Sequence, residues 1–148
     1  MERRKCWVFD VDGTLADNGH REHFIANKPK NWGSWYRRLI DDTPQEPVVF
    51  LLNAARAAGY AIVVCTGRGE MMHLTEEWFR RHNIHYDALY HRAEKDYRCD
   101  SIVKGELCDQ ILADGYDIFA VVDDRPRVVQ MWRDRGYFVF DVNKKGEF

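Results

Sequence analysis

Five apolar runs of strand length recur along the chain, at 6–9 (Cys-Trp-Val-Phe), 61–65 (Ala-Ile-Val-Val-Cys), 88–90 (Ala-Leu-Tyr), 118–122 (Ile-Phe-Ala-Val-Val) and 137–140 (Tyr-Phe-Val-Phe). None alternates with polar residues, which suits strands buried on both faces of a parallel sheet. Helical periodicity fills the intervals. Segment 47–58 places Val48, Leu51, Leu52, Ala55 and Ala58 at helical spacing and stops at Gly59. Segment 70–82 predicts a second helix, and 100–113 a third with Ile102, Val103, Leu107, Ile111 and Leu112 on one side. Segment 126–135 predicts a fourth, opening on Pro126 and closing before Gly136. Strands alternating with helices predict an α/β fold, a doubly wound five-stranded parallel sheet with right-handed crossovers. Ligands bind such sheets at the carboxyl ends of the strands.

A chain of 148 residues suits one compact domain, 1–148. Two stretches remain as inserts, 17–43 and the roughly 30 residues between Thr66 and Asp100. Neither is long enough for a large cap domain, so 17–43 is expected to be a small insert or cap over a mostly open site.

Composition narrows the picture little. With 45% hydrophobic and 31% charged residues the chain can build one ordinary core. The net charge of −2 demands neither nucleic acid nor a membrane surface, although local basic patches outweigh the total. No run approaches membrane-spanning length, and none resembles the apolar core of a signal peptide. Cys6, Cys65, Cys99 and Cys108 form no C-x-x-C pair. Reduced thiols and a cytoplasmic location are therefore the expectation, without a membrane partner.

The polar residues that follow the strands carry the chemistry. The first strand runs into Asp10-Val11-Asp12-Gly13-Thr14. Side chains two apart on extended backbone point the same way, so Asp10 and Asp12 can face one site. Two close carboxylates need a cation or a shared proton. The second strand runs into Thr66-Gly67-Arg68-Gly69, whose hydroxyl, backbone N–H groups and helix start suit an anion, with Arg68 able to bind phosphate bidentately. The fourth runs into Asp123-Asp124-Arg125, oxygen ligands that suit Mg²⁺. Asp100 and Lys104 share a helical face, so Asp100 can orient the Lys104 ammonium towards a phosphoryl group. Each piece has a plainer reading as a turn, a helix cap or a surface ion pair. Their joint position at the strand ends favours a site.

In that combination and order, the four pieces resemble the signatures of the haloacid dehalogenase (HAD) superfamily of phosphatases, over essentially the whole chain. The resemblance implies Asp10 as nucleophile, forming an aspartyl-phosphate, and Asp12 as acid and then base. It implies Thr66 and Lys104 on the phosphoryl oxygens. It assigns Mg²⁺ to Asp10, to Asp12 through its backbone carbonyl, and to Asp123 or Asp124.

The stretches Phe9-Asp10-Val11-Asp12-Gly13-Thr14-Leu15-Ala16, Tyr60-Ala61-Ile62-Val63-Val64, Asp123-Asp124-Arg125 and Val128-Val129-Gln130-Met131-Trp132-Arg133 look in particular like the 3′-phosphatase domain of phage polynucleotide kinase-phosphatases. That family adds Arg21, Arg68 and Asp100 as substrate contacts, beside Thr66 and Gly67. It implies an RNA or DNA 3′ end as substrate and a role in nucleic-acid end healing. No G-x-x-x-x-G-K-[ST] stretch is present, so kinase activity is expected, if anywhere, in a separate kinase or ligase partner.

Two rival functions stay open at this point, a small-molecule or nucleotide phosphatase and a non-enzymatic phospho-acceptor module. The second acid at Asp12 argues against the latter, because it would speed loss of the phosphate. Segment 28–38 mixes Lys28, Lys30, Arg37 and Arg38 with Trp32, Trp35 and Tyr36. It reads as a short helix with Trp32, Trp35, Tyr36 and Leu39 packed down, or as a single-strand binding surface. The pairs His20/His23 and His82/His85 read as structural rather than as metal ligands.

Overall fold

The computed structural model describes residues 2–144. Strand β1 (Arg4–Phe9) is followed by a short β2 (Ala16–Asp17) that opens the insert. The insert holds a 3-10 turn (Gly19–Arg21), helices α1 (His23–Ala26) and α2 (Trp32–Arg37), and a second 3-10 turn (Arg38–Asp41). It closes with β3 (Thr43–Pro44), antiparallel to β2, so the insert leaves and rejoins the chain through one two-stranded ribbon. Then follow α3 (Glu46–Ala57), β4 (Ala61–Thr66), α4 (Met72–Arg81), β5 (Ala88–His91), α5 (Asp100–Ala113), β6 (Tyr116–Asp123), α6 (Pro126–Asp134) and β7 (Val139–Asp141).

The main sheet is all parallel in the order β5-β4-β1-β6-β7, the doubly wound arrangement expected from the apolar runs. Alternate residues of the central strands feed two cores. Cys6, Val8, Val63 and Cys65 pack with Leu107, Ile111, Val128 and Trp132 of α5 and α6 on one face. Trp7, Phe9, Ile62 and Val64 pack with Leu52, Trp78 and Phe79 of α3 and α4 on the other. Both faces being covered explains why these strands read as unbroken apolar runs.

Two boundaries move for local reasons. Helix α4 starts at Met72 rather than Glu70, because Met71 takes a left-handed conformation (φ 52°) that interrupts helical hydrogen bonding. Strand β7 starts at Val139, because Tyr137 still closes the end of α6 by donating its N–H to the Trp132 carbonyl. Cys6, Cys65 and Cys108 are buried free thiols, and Cys99 is an exposed one. Among the described residues no helix is long and apolar enough to cross a membrane.

Candidate active site

The carboxyl ends of β1, β4 and β6 meet beside the amino end of α5. Asp10 follows β1 and is buried. One of its oxygens accepts from the Lys104 ammonium at 2.8 Å, the other from the Thr14 hydroxyl at 3.0 Å. Lys104 reaches down from α5, buried, and also donates to Asp123 at 2.8 Å. The other Asp123 oxygen accepts the backbone N–H groups of Asp124 and Arg125 at 2.8 and 3.3 Å. Neither acid caps α6, whose N-cap is Arg125. Gly13 makes this crowding possible. Its φ is +78°, and a Cβ there would lie 2.0 Å from an Asp124 oxygen.

Asp10, Asp123 and Asp124 each offer an oxygen within 4.8 Å of the others. Three buried carboxylates against one ammonium leave a deficit of positive charge. Burial and the neighbouring Asp123 push the Asp10 carboxyl well above the usual range, against the pull of Lys104. Burial, opposed by hydrogen bonding with Asp10 and aided by Asp123, pushes Asp124 up to about 6. Burial disfavours the Lys104 charge, but Asp10 and Asp123 outweigh it and push its pKa well above normal. A hard divalent cation with oxygen ligands fits such a donor set.

This strain is measurable. Asp124 ionises in the unfolded chain near its ordinary value but in the fold only near 6, so its charge opposes folding above pH 6. That cost fades as the pH falls towards 4, where both states take up the proton. Without divalent cations, Asp124→Asn is therefore expected to stabilise the protein at pH 7.5 by roughly 1–3 kcal/mol. Calorimetry should show the gain at pH 7.5 and little of it at pH 4.

Asp12 belongs to a different network. Its side chain is not part of the three-carboxylate cluster, in keeping with an expected metal contact through its backbone carbonyl rather than its carboxylate. It accepts from Arg68 at 2.7 and 3.0 Å, from Arg21 at 2.7 Å, and weakly from Asn18 at 3.4 Å. Burial works against its charge, but Arg68 and then Arg21 prevail and hold the carboxyl far below the usual range. Two carboxylates two residues apart thus sit in opposite electrostatic surroundings.

The arginines expected on the phosphate pair with carboxylates in this structure. Arg21 is fully buried and donates to Asp12, to both oxygens of Asp42 at 2.8 Å, and to the Trp35 carbonyl at 3.1 Å. Arg68 is buried between Asp12, Asp42 at 3.3 Å and the Thr75 hydroxyl at 2.9 Å. Both guanidiniums are drawn inward by carboxylates that their own sequence neighbourhood does not contain. The Thr66 hydroxyl, also buried, accepts the Arg68 backbone N–H at 3.1 Å. The loop after β4 is not a helix start, since α4 begins only at Met72.

Asp100 does not orient Lys104. It lies over Gly67, where a Cβ would come within 2.8 Å of its carboxylate, and it is held by the guanidiniums of Arg92 and Arg125. One turn of helix separates the two side chains, and Lys104 is drawn down to the strand ends while Asp100 stays at the mouth.

Several supporting residues have no signature in the sequence. Asp42 ends the insert, is buried, and joins Arg21, Arg68 and the His20 ring, the last at 2.7 Å. His20 therefore does have an acid partner and supports the site, whereas the His23 ring lies tilted against Phe24 and the His82 ring tilted against Trp78. Arg92 ties the Gly67 carbonyl at 2.7 Å to the carbonyls of Asp96 and Arg98 and to Asp100. Only Thr14, inside the first motif, could have been found by pattern.

A sheet of this order, with paired acids after its first strand, a buried lysine from the helix before β6 and acids after β6, defines a phosphatase of the HAD type. The chain belongs to the polynucleotide kinase PNKP phosphatase domain family, whose profile matches residues 4–148. It is 31% identical to a chain in the structure of the Pnkp1/Rnl/Hen1 RNA repair complex, with a TM-score of 0.80 over 95% of this chain and 43% of that one. A second structure of the Pnkp1/Rnl/Hen1 complex gives 31% and 0.84 over 99% and 48%.

A protein of Autographa californica nuclear polyhedrosis virus, provisionally described as a bifunctional polynucleotide kinase/RNA ligase, is 27% identical over 127 residues, 84% of this chain and 17% of that protein. The class C acid phosphatase from Bacillus anthracis with tungstate bound shares the fold at 14% identity, with a TM-score of 0.67 over 95% of this chain and 68% of that one. The chain spans about a sixth of the viral protein and less than half of either repair-complex chain.

Proposed function

We propose that this phosphatase removes the 3′-phosphate from RNA or DNA ends through an aspartyl-phosphate on Asp10, with Mg²⁺ as cofactor. The observation that carries the mechanism is the geometric setting of the two acids. Asp10 is fixed by Lys104 and Thr14 among the clustered carboxylates, where a bound cation would favour its ionised, nucleophilic form, while Asp12 sits outside that cluster, facing two arginines that a phosphate can draw away. Asp10, Asp123 and Asp124 would hold the cation, which when bound neutralises the phosphoryl oxygens and the carboxylates around them. Lys104 and the Thr14 hydroxyl fix the Asp10 carboxylate for in-line attack. An Asp10 oxygen bonds to phosphorus, the bond from phosphorus to the 3′-oxygen breaks, and the proton on Asp12 passes to that oxygen.

Asp12 gains this proton when an arriving phosphate dianion competes for Arg68 and Arg21 and adds its own negative charge beside the carboxylate. Once the alcohol leaves, the arginines return to the ionised Asp12. It then takes a proton from the water that attacks phosphorus and frees Asp10. Asp42 keeps both arginines within reach throughout.

The polynucleotide end rests on the family and on the names of the relatives. Those names also support a kinase or ligase as the partner activity. The test is phosphate release with Mg²⁺ from a 3′-phosphorylated oligonucleotide, its 5′-phosphorylated isomer and free nucleotides. Strong preference for the 3′ end is expected. Preference for free nucleotides would leave the catalytic roles and remove the polymer substrate. No release, with Asp10 phosphorylated, would make the chain a phospho-acceptor.

A further inference from the structure

The insert has an inner and an outer aromatic face. Trp35 is the inner one, buried, with the Arg21 guanidinium 4.0 Å from its ring centre. Since Arg21 also donates to Asp12, α2 is anchored directly to the proton-transfer carboxylate. Trp32 and Tyr36, one turn apart, form the outer face. Their ring centres are 6.3 Å apart with planes 31° from parallel. Trp32 was expected to pack down with Trp35 but is 45% exposed, touching Trp35 only edge-on.

Tyr36 is half-buried, and its phenol is pushed up by burial and by Asp12 and Glu70, against Arg92 and Arg68. Tyr36 follows Trp35, whose carbonyl accepts from the Arg21 guanidinium that also donates to Asp12, so the same turn of helix is tied to the site. The aromatic pair therefore leads from the catalytic mouth out to solvent.

Charge distinguishes this exit from the other side of the mouth. There Arg125 and Arg92 are paired with Asp100, and Arg98 with Asp96 and Glu106. Lys28, Lys30 and Arg37, all exposed, form no ion pair among the described residues, and the Lys30 ammonium lies 5.5 Å from the Trp32 ring centre. Unpaired cations interleaved with an exposed aromatic pair suit a flexible polyanion with stacking faces. A small phosphomonoester would use neither.

We propose that Trp32 and Tyr36 form a stacking platform for the terminal bases of a single-stranded polynucleotide, with Lys30 and Arg37 following its backbone phosphates. This inference rests on the polynucleotide reading above and adds to it the device that selects a polymer end. Stacking holds the strand without reading its sequence, so the platform accepts any base.

The test compares wild type, Trp32→Ala and Trp32→Phe in steady-state hydrolysis of three substrates. These are a single-stranded 3′-phosphorylated oligonucleotide, the same strand with its last two bases abasic, and p-nitrophenyl phosphate. Trp32→Ala is expected to raise KM for the intact strand by about 5- to 150-fold, the range that loss of one stacked base implies, while kcat moves little. Trp32→Phe, which keeps a ring face, should recover most of that loss. Abasic ends should cost the wild type at least that factor and cost Trp32→Ala distinctly less, the part that Tyr36 still holds.

Equal losses on the oligonucleotide and on p-nitrophenyl phosphate would overturn the platform, as would a wild type indifferent to the terminal bases. A wild type that prefers free nucleotides to every oligonucleotide would instead remove the polynucleotide reading, and the platform with it.

Discussion

Asp10→Asn should lower turnover of any phosphomonoester by about 10⁴-fold or more, the scale on which loss of a nucleophile is felt. The amide keeps the shape of the carboxylate: its one oxygen can accept from Lys104, while its NH2 can donate to the Thr14 hydroxyl once that hydroxyl turns to accept. It cannot form the bond to phosphorus. The variant should fold well, because it removes one of three mutually repelling buried carboxylates while Lys104 keeps Asp123 as partner. Rapid acid quench with a phosphate-labelled substrate provides the direct check. Wild type should carry label during turnover and the variant none. Metal-dependent hydrolysis that survives the substitution would show that Asp10 is not the nucleophile.

Asp12→Asn separates the two half-reactions. With a 3′-phosphorylated oligonucleotide the leaving oxygen needs a proton, and kcat should fall by about 10²- to 10⁴-fold. With p-nitrophenyl phosphate the leaving group departs without one. Phosphorylation of Asp10 should then survive while attack by water is slowed, so labelled enzyme should accumulate. Thermal melting at neutral pH should fall, because the Asp12 charge that the arginines favour is lost and the Arg68 Nε–H loses its acceptor. The protein should still fold, since the amide oxygen can accept from Arg68 Nη2 and Arg21 and both arginines keep Asp42. Full activity on both substrates would take Asp12 out of the mechanism.

The degree to which this site is legible in sequence follows the reach of each interaction. Asp10, Asp12 and Thr14 lie within five residues, on a strand end and the turn that Gly13 permits, so spacing alone brings them together. Thr66, Lys104, Asp123 and Asp124 follow from one further step, the rule that a doubly wound sheet gathers the ends of its strands. Arg21, Arg68 and Asp100 were also found as residues, but their partners were not. Arg68 and Arg21 turn towards Asp12 and Asp42, and Asp100 towards Arg92 and Arg125. Such pairings depend on how far a loop folds back, which no local pattern encodes.

The insert shows the same division. Its helical aromatics were visible in segment 28–38, and so were both of its readings. The fold divides them by residue, burying Trp35 and Leu39 and leaving Trp32 and the basic residues outside. Asp42 could not be singled out at all, since an acid before Thr43-Pro44 looks like any loop residue.

By itself, the order of apolar runs and helical stretches determined the parallel sheet, its two covered faces and the end at which chemistry occurs, because burial on both faces and right-handed crossovers leave few alternatives. Only the tertiary structure decided which charges meet. It set Asp10 among carboxylates and Asp12 among arginines, because a buried charge takes the partner that three-dimensional packing brings within hydrogen-bond distance, whatever its place in the chain.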